Sequence, residues 1–420
     1  MSEPVEVWVA HGGEDVLAGR LWVARRGRGE SATFVYDQGW VARSGAYPLQ
    51  PALGPLTTAP FHTDGTRALF GAFADGAPDR WGRALMMRAA RRRASARGRT
   101  SSSLGELDFL LGVRDDTRQG ALRYRHPGEG AFLSPPEEGV PALIDLPELL
   151  AASVRFERDE AASEDVRLLL RAGSSLGGAR PKAHVRDVRG RLALAKFPSV
   201  RTDDWDVMAW EKTALDIARS AGLRVSAASL HRVDGRNVLV VERFDRSRDG
   251  ARIGYLSAMS LVDGRDGEPG SYLDLAETVE IESSAPEEDL SELWSRILLS
   301  VLISNTDDHL RNHGFLREGR GWRLAPLFDV NPNPDPGNDV LSTMIDRSDA
   351  TASVSRLVEL AGSFGLRPRA CRAAIARVTA AVGRWRDLAR ANGVSRAEIA
   401  RMEPAFDHDR RREADEAGEM

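Results

Sequence analysis

Residues 305–312 read NTDDHLRN: Asn305, Thr306, Asp307, Asp308, His309, Leu310, Arg311, Asn312. The apolar run WSRILLSVLIS (294–304) comes just before, and HGFL (313–316) follows. Surface loops are polar, but few are this dense in carboxylates, amides and imidazole, the groups that move protons and hold cations. The stretch is either a solvated turn or the floor of an active site. The rest of the chain decides between them.

With 420 residues the chain exceeds the size at which one hydrophobic core stops growing, so two or more domains are expected. Hydrophobic residues at 42 % and charged residues at 29 % are those of an ordinary soluble protein. A net charge of −4 and a pI near 6.1 argue against a general nucleic-acid binder, while leaving room for a local basic patch. The single cysteine, Cys371, excludes an intrachain disulfide and a cysteine-based zinc site. On the pattern ACRAAIARV it reads as a small core residue. The start, MSEPVEVWVA, has neither a basic n-region nor a continuous apolar stretch, so no signal peptide is expected. The longest apolar run, ILLSVLIS, is too short to span a bilayer. The cytoplasm is the expected compartment.

Val5, Val7 and Val9 alternate with Glu6 and Trp8 at the strand period. LAGRLWVA and ATFVYD follow, and a β-meander is expected. Residues 79–97, DRWGRALMMRAARRRASAR, predict a helix, with six arginines from Arg88 to Arg99 that read as a solvated face or a nucleic-acid patch. LGELDFLLGV predicts a short helix and GALRYR a strand. Pro, Gly and Glu dominate 126–147, which predicts an irregular linker. An α+β pattern resumes near 164 and no internal repeat is present. The expected division is 1–125 strand-rich, 126–160 linker, 161–250 small-lobe core, and 251–420 catalytic loop with a helical lobe. From about 350 the pattern is helical, with breaks at Pro368 and Pro404 and a frayed last dozen residues.

Four pieces fit one chemistry. Asp307 and Asn312 form D-x-x-x-x-N, the spacing by which a protein-kinase catalytic loop places a proton acceptor and a Mg²⁺ ligand together. Alone, the pair reads equally as a turn cluster. LAPLFDVNP brings Asp329 back after a strand, and a carboxylate there suits a hard Mg²⁺ ion. RLALAKFP carries Lys196 at the end of a strand, and Glu211 follows on the helical segment WDVMAWEKTALDIARSAGL. A strand lysine paired with a helix glutamate aims an ammonium at nucleotide phosphates. GSSLGGARPK (173–182) has Walker A glycine spacing, but Ala179 stands where that motif needs lysine. What remains is a Gly-rich turn able to cradle phosphate. NVLVVERFDR, ending in Glu242, Arg243 and Phe244, reads either as the strand that lines an adenine edge or as a buried strand with a charged end.

The ordered set SLGGARPK, ALAKFP, VERFDR, NTDDHLRN and LFDV resembles the HipA family of serine/threonine protein kinases, the toxins of bacterial type II toxin–antitoxin pairs. FVYDQGWVA, FADGAPDRWGR and LDFLLGVRDD…GALRYR resemble that family's N-terminal subdomain, so the likeness covers nearly the whole chain. It implies an α+β, kinase-like fold: a strand-rich N-terminal subdomain, a nucleotide-binding core and an all-helical C-terminal lobe. It implies ATP and Mg²⁺, with Asp307 as the catalytic aspartate, Asn312 and Asp329 on the metal, and His309, Leu310 and Arg311 in the same loop. Phe328 would lie against the base and Lys196 on the phosphates. Gly177, Gly178, Ala179, Arg180, Pro181 and Lys182 would form the phosphate loop, Glu242, Arg243 and Phe244 the hinge, and Asp245 would sit near the ribose. Ser175, with Ser174 beside it, would be the autophosphorylated serine. The likeness also implies a protein substrate in translation, such as an aminoacyl-tRNA synthetase. A small DNA-binding antitoxin would make the DNA contact, and a dimer in that complex is admitted. No membrane role is implied. A rival reading, favoured by the arginines of 88–99, is a nucleotide-binding corepressor that holds an antitoxin on DNA with little kinase activity.

Overall fold

In the computed structural model, residues 3–27, 29–99, 103–133, 140–173, 178, 180–335, 337 and 339–419 are described. The chain divides into two units, Met1–Thr202 with Arg232–Leu256, and Asp203–His231 with Ser257–Met420. The alternation in VEVWVA becomes the strand Val5–His11, with Val5, Val7 and Val9 buried. It lies fourth in a five-stranded sheet ordered Phe61–His62, Gly29–Tyr36, Glu14–Arg26, Val5–His11, Leu122–Arg125. Gly19 is needed in that sheet: a Cβ there would lie 2.3 Å from the Val35 carbonyl oxygen. On the other face Glu6 takes Arg125 at 2.8 Å, and the Arg125 guanidinium stacks 3.8 Å from the Trp8 ring centre.

A second sheet in the same unit joins Lys182–Arg186, Leu192–Lys196 and Arg236–Glu242 in antiparallel register. Its buried face packs Val185, Ala195, Phe197, Val238 and Val240 against Trp81 and Leu85 of the helix Arg80–Ala96. Residues 126–160, expected as an irregular linker, hold the helix Leu146–Glu157 within the described part of that segment. Leu146, Leu149 and Leu150 enter the same core at helical spacing, a signal that the Pro- and Gly-rich composition upstream had masked.

In the second unit the run before NTDDHLRN is the C-terminal part of the helix Pro286–Leu302. Pro286 at its first position and Glu287, Glu288 and Asp289 in the first turn suit a helix start. Residues 297–303 are buried almost throughout, so this helix is surrounded on all sides. A hairpin, Gly314–Glu318 with Gly321–Leu324, leaves the loop, so strands accompany the helices of the C-terminal lobe. From Val354 the described elements are helices. Cys371 is buried as expected. Pro404 does not break its helix: it lies inside Arg396–Phe406, which continues past it to Phe406. The tail, expected to fray, is the helix Asp409–Glu419, anchored by buried Ala414. Trp210, Trp385 and Phe406 form an aromatic cluster, with the last two stacked at 4.4 Å and 8°. Among the described residues no helix is long and apolar enough to cross a membrane.

Candidate active site

The helix Pro286–Leu302 delivers a loop that its surroundings hold residue by residue. Ser304 turns the chain with φ of 53°. Asn305 N–H donates to the Ser300 carbonyl at 2.8 Å, and Asn305 Oδ1 accepts from Asn331 N–H at 3.3 Å. The Thr306 carbonyl accepts from both N–H and Oγ of Ser342, at 2.9 and 3.0 Å. The two adjacent aspartates then part. Asp307 is exposed, whereas Asp308 is buried. Tyr272 OH donates to Asp308 Oδ2 at 2.7 Å, Ser300 Oγ donates at 2.9 Å, and His313 Nε2 lies 3.1 Å from Oδ1. Burial alone would raise the Asp308 carboxyl, but His313, Tyr272 and Ser300 outweigh it and hold it below the usual carboxylate range.

Asn312 lies on the short turn Leu310–Asn312, and its Nδ2 donates to the Asp307 carbonyl at 3.1 Å. That bond fixes which end of the amide donates and makes Oδ1 the end suited to a cation. His309 N–H also donates to the Asp307 carbonyl, at 2.9 Å. The His309 Nδ1 atom is buried and meets no hydrogen-bonding partner among the described residues. Leu310 is a core residue, and Arg311 pairs outward with Asp266 at 2.7 Å. Asp329 holds φ of 58° between half-buried Phe328 and buried Val330. Asn331 joins the two loops, since its N–H reaches Asn305 and its Nδ2 lies 3.4 Å from Asp329 Oδ1. This unit therefore holds Asp307, His309, Asn312, Phe328 and Asp329 in two loops tied together by Asn305 and Asn331. Glu211 is buried on the helix Val207–Ser220.

No cluster of three or more His, Cys, Asp or Glu that could bind a metal occurs among the described residues. A Mg²⁺ ion does not need one. It takes one or two protein oxygens and completes its shell with water and phosphate. The Asp329 carboxylate and the Asn312 amide are of that hard-oxygen type, so the residues fit the ion.

The first unit carries the remaining expected residues. Lys182 and Lys196 stand directly opposite each other on antiparallel strands. Like charges so placed repel, and the fold separates their environments. Lys182 is 3 % exposed and its Nζ meets Asp79 Oδ2 at 2.5 Å, while Lys196 is half-buried. Asp79 also caps the helix Arg80–Ala96 through Gly82 N–H at 2.7 Å, and Trp81 Nε1 donates to the Lys182 carbonyl at 3.2 Å. The Lys182 ammonium thus ties a strand to a helix cap. Pro181 accepts from Phe197 N–H through its carbonyl at 2.9 Å. Arg180 is half-buried, and Gly178 has φ of 120°. Gly177, Ala179, Ser174 and Ser175, and with them the expected autophosphorylation site, lie outside the described residues.

At the end of the strand Arg236–Glu242, Glu242 pairs with Arg191 at 2.7 Å and the Phe244 ring lies 6.2 Å from that of Tyr255. Arg243 and Asp245 are buried against each other, with Arg243 Nε donating to Asp245 Oδ1 at 2.6 Å. Arg246 and Gly120 N–H complete the Asp245 shell at 2.8 and 2.7 Å. Burial would raise this carboxyl, but the charges of Arg243 and Arg246 carry it far below the usual range. Arg243 also lies 2.7 Å from His184 Nε2. Burial and then the Arg243 charge push His184 down to about 3, which keeps the imidazole neutral and able to accept. Asp245 and Arg243 are thus committed to the interior of this unit. Of the arginines from 88 to 99, Arg88 pairs with Asp159 and Arg92 donates to the Ala161 carbonyl, while Arg91, Arg93, Arg97 and Arg99 are exposed.

The sequence reading missed the groups that hold the site: Asp308, Tyr272, Ser300, Asn305, Asn331 and Asp79. Asp308 and Asn305 stood inside NTDDHLRN, Asn331 inside LAPLFDVNP and Asp79 inside FADGAPDRWGR, but the sequence reading gave none of them a role.

The HipA N-terminal domain model matches residues 7–124, and the HipA-like C-terminal domain model matches residues 174–385. The protein named "Putative kinase Y4mE" of Sinorhizobium fredii is 25 % identical over 326 residues, 71 % of each chain. Among solved structures, HipA of Shewanella oneidensis MR-1, in complex with HipB and operator DNA, superposes with a TM-score of 0.64 over 99 % of each chain at 14 % identity. That likeness is one of fold. The N-terminal match spans most of the first sheet, and the C-terminal match, half of the chain by itself, runs from the glycine-rich turn past the Asp329 loop, so the chain belongs to the HipA family.

Proposed function

We propose that this chain is an ATP-dependent serine/threonine protein kinase and the toxin of a toxin–antitoxin pair. The observation that carries the reading is the parting of the adjacent aspartates: Asp308 is sunk into the core, and Asp307 stands exposed on a loop held at consecutive carbonyls. In this reading Asp307 accepts the proton of a substrate hydroxyl. The hydroxyl oxygen bonds to the γ-phosphorus as the bond to the ADP leaving oxygen breaks. Asn312 and Asp329 would hold Mg²⁺, which when bound supplies charge neutralisation on the phosphates. Lys196 and the glycine-rich turn would bind phosphate, Glu242 and Phe244 would line the base, and the buried Nδ1 of His309 would gain a partner from the nucleotide. Lys182, Arg243 and Asp245 take structural roles instead. Autophosphorylation at Ser175 or Ser174 would add about two negative charges where ATP phosphates must sit, and so limit the enzyme. Shewanella HipA is solved with HipB and operator DNA. By that likeness an antitoxin partner would carry the DNA contact here, and a cytoplasmic protein of translation, such as an aminoacyl-tRNA synthetase, is the proposed target.

The test is intact mass after incubation with ATP and Mg²⁺, wild type beside Asp307→Ala, with EDTA as control. Phosphate should be gained by wild type, fall about 10²- to 10⁴-fold in rate in the variant, and vanish with EDTA. Equal gain in Asp307→Ala would overturn the assignment of the base, and no gain by initially unphosphorylated wild type, alone or with candidate substrates, would overturn the kinase reading.

A further inference from the structure

Asp308 has no part in the chemistry proposed above, yet three elements converge on its side chain. Tyr272 is the first residue of the helix Tyr272–Glu282, Ser300 lies in the last turn of Pro286–Leu302, and His313 leads into the strand Gly314–Glu318. We infer that Asp308 is a positioning residue for phosphoryl transfer: its carboxylate, gripped by Tyr272 and Ser300 and lying beside His313, fixes the peptide from which Asp307 projects. The inference rests on the reading of Asp307 as the base.

The backbone supports it on both sides. The Asp308 carbonyl accepts from Thr343 Oγ1 at 2.8 Å, the Asp307 carbonyl from Asn312 Nδ2 at 3.1 Å, and the Thr306 carbonyl from Ser342 N–H at 2.9 Å. Three consecutive carbonyls are thereby tied to three different residues, so the peptides flanking Asp307 have little freedom. The Asp307 side chain, in contrast, lies at the surface. General-base transfer depends on holding the acceptor within hydrogen-bond reach of the hydroxyl, and a misplacement of about 1 Å can cost about a hundredfold in rate.

The residue type matters as well as its size. A carboxylate is acceptor-only and here receives the Tyr272 phenol and the Ser300 hydroxyl together, with the His313 ring beside its other oxygen. Burial, and then the Asp308 charge, raise the Tyr272 phenol well above its ordinary value, so it remains a donor. An asparagine at 308 has nearly the same volume, but its amide nitrogen would face one of these donors. Packing would be preserved while one grip is lost. A hydrophobic residue serving only to fill the core would not need this donor set around it.

The experiment uses the full chain as Asp308→Asn and Tyr272→Phe, beside wild type and Asp307→Ala. Single-turnover phosphate transfer with MgATP is read against the KM for ATP, and hydrogen exchange is followed over residues 304–313. For Asp308→Asn the transfer rate should fall about ten- to hundredfold with KM for ATP little changed. Tyr272→Phe should move in the same direction by less. Amides of the 304–313 segment should exchange faster, while those of residues 287–298 keep their wild-type rates. Transfer at the wild-type rate, or lowered only in proportion to a loss of folded protein, would overturn the positioning role. So would unchanged exchange across the loop. If neither wild type nor Asp307→Ala gains phosphate, the kinase reading fails by itself. The exchange measurement then still decides whether Asp308 fixes the loop: faster exchange confined to 304–313 supports the proposal and wild-type exchange rejects it.

Discussion

Replacing Asp245 by asparagine asks whether this carboxylate serves the fold or a ligand. The residue is 1 % exposed. It accepts from Arg243 at 2.5 and 2.6 Å, from Arg246 at 2.8 Å and from Gly120 N–H at 2.7 Å. An amide would retain the shape but leave two buried guanidinium groups without their counter-charge. Breaking a buried pair by removing one partner costs about 3–5 kcal/mol. For a unit of this size each kcal/mol is about 2–4 °C of Tm, so the unit should melt about 6–20 °C lower. The chain has two units and need not unfold in one step. Calorimetry should therefore be paired with hydrogen exchange on the strand Lys182–Arg186 to assign the transition. The pH dependence has a definite sign. The folded-state carboxyl lies below its unfolded value of about 3.9. Its stabilisation is complete at neutral pH and is lost as the pH falls through and below that value. Asp245→Asn should lack this acid-side component. A variant that melts within about 2 °C of wild type, less than 1 kcal/mol, yet binds ATP at least tenfold more weakly would refute the structural role and restore Asp245 to the ribose.

The two facing lysines should separate in the same way. Lys182→Ala strands the Asp79 carboxylate in the core and should destabilise the first unit by about 3–5 kcal/mol, read as a lower urea midpoint. Lys196→Ala should leave that midpoint near wild type and weaken ATP binding, read by calorimetric titration; the opposite pattern would exchange their roles. In the second unit, Trp385→Ala removes the ring stacked on Phe406 and should cost about 3–5 kcal/mol, seen as earlier unfolding of the helices from Pro368 to Phe406 in hydrogen exchange.

Much of the fold was legible because the local signals agreed with the tertiary ones. The valine alternation at 5–9 gave a strand, and the stretch 79–97 gave the helix Arg80–Ala96. The readings that failed weighed composition above spacing. Residues 126–160 looked irregular through their prolines and glycines, although Leu146, Leu149 and Leu150 already stood at helical intervals. The charged tail looked frayed because its helix buries little beyond Ala414, too small a residue to mark a face in sequence. Pro404 looked like a break because proline disrupts helix interiors, whereas the helix carries it close to its C-terminal end with the loss of one backbone hydrogen bond.

The site was legible as a set of residue types but not as a division of labour, and the reason is sequence distance. Asp307 and Asp308 are neighbours with the same side chain. What parts them is Tyr272, which is 36 residues away along the chain. Lys182 opens one strand and Lys196 closes the next, both near the glycine-rich motif, and Asp79, 103 residues upstream, takes the first of them. Asp245 follows a hinge-like strand end, and Gly120 and the flanking arginines turn it inward across 125 residues. In each case burial with a satisfied partner gives Asp308, Lys182 or Asp245 a structural setting that its sequence neighbours do not reveal. A carboxylate or ammonium enters a core only where donors or a counter-charge already wait for it. The spacing of charged residues can therefore nominate a site. Which of those charges the fold has already neutralised is set by residues far away along the chain.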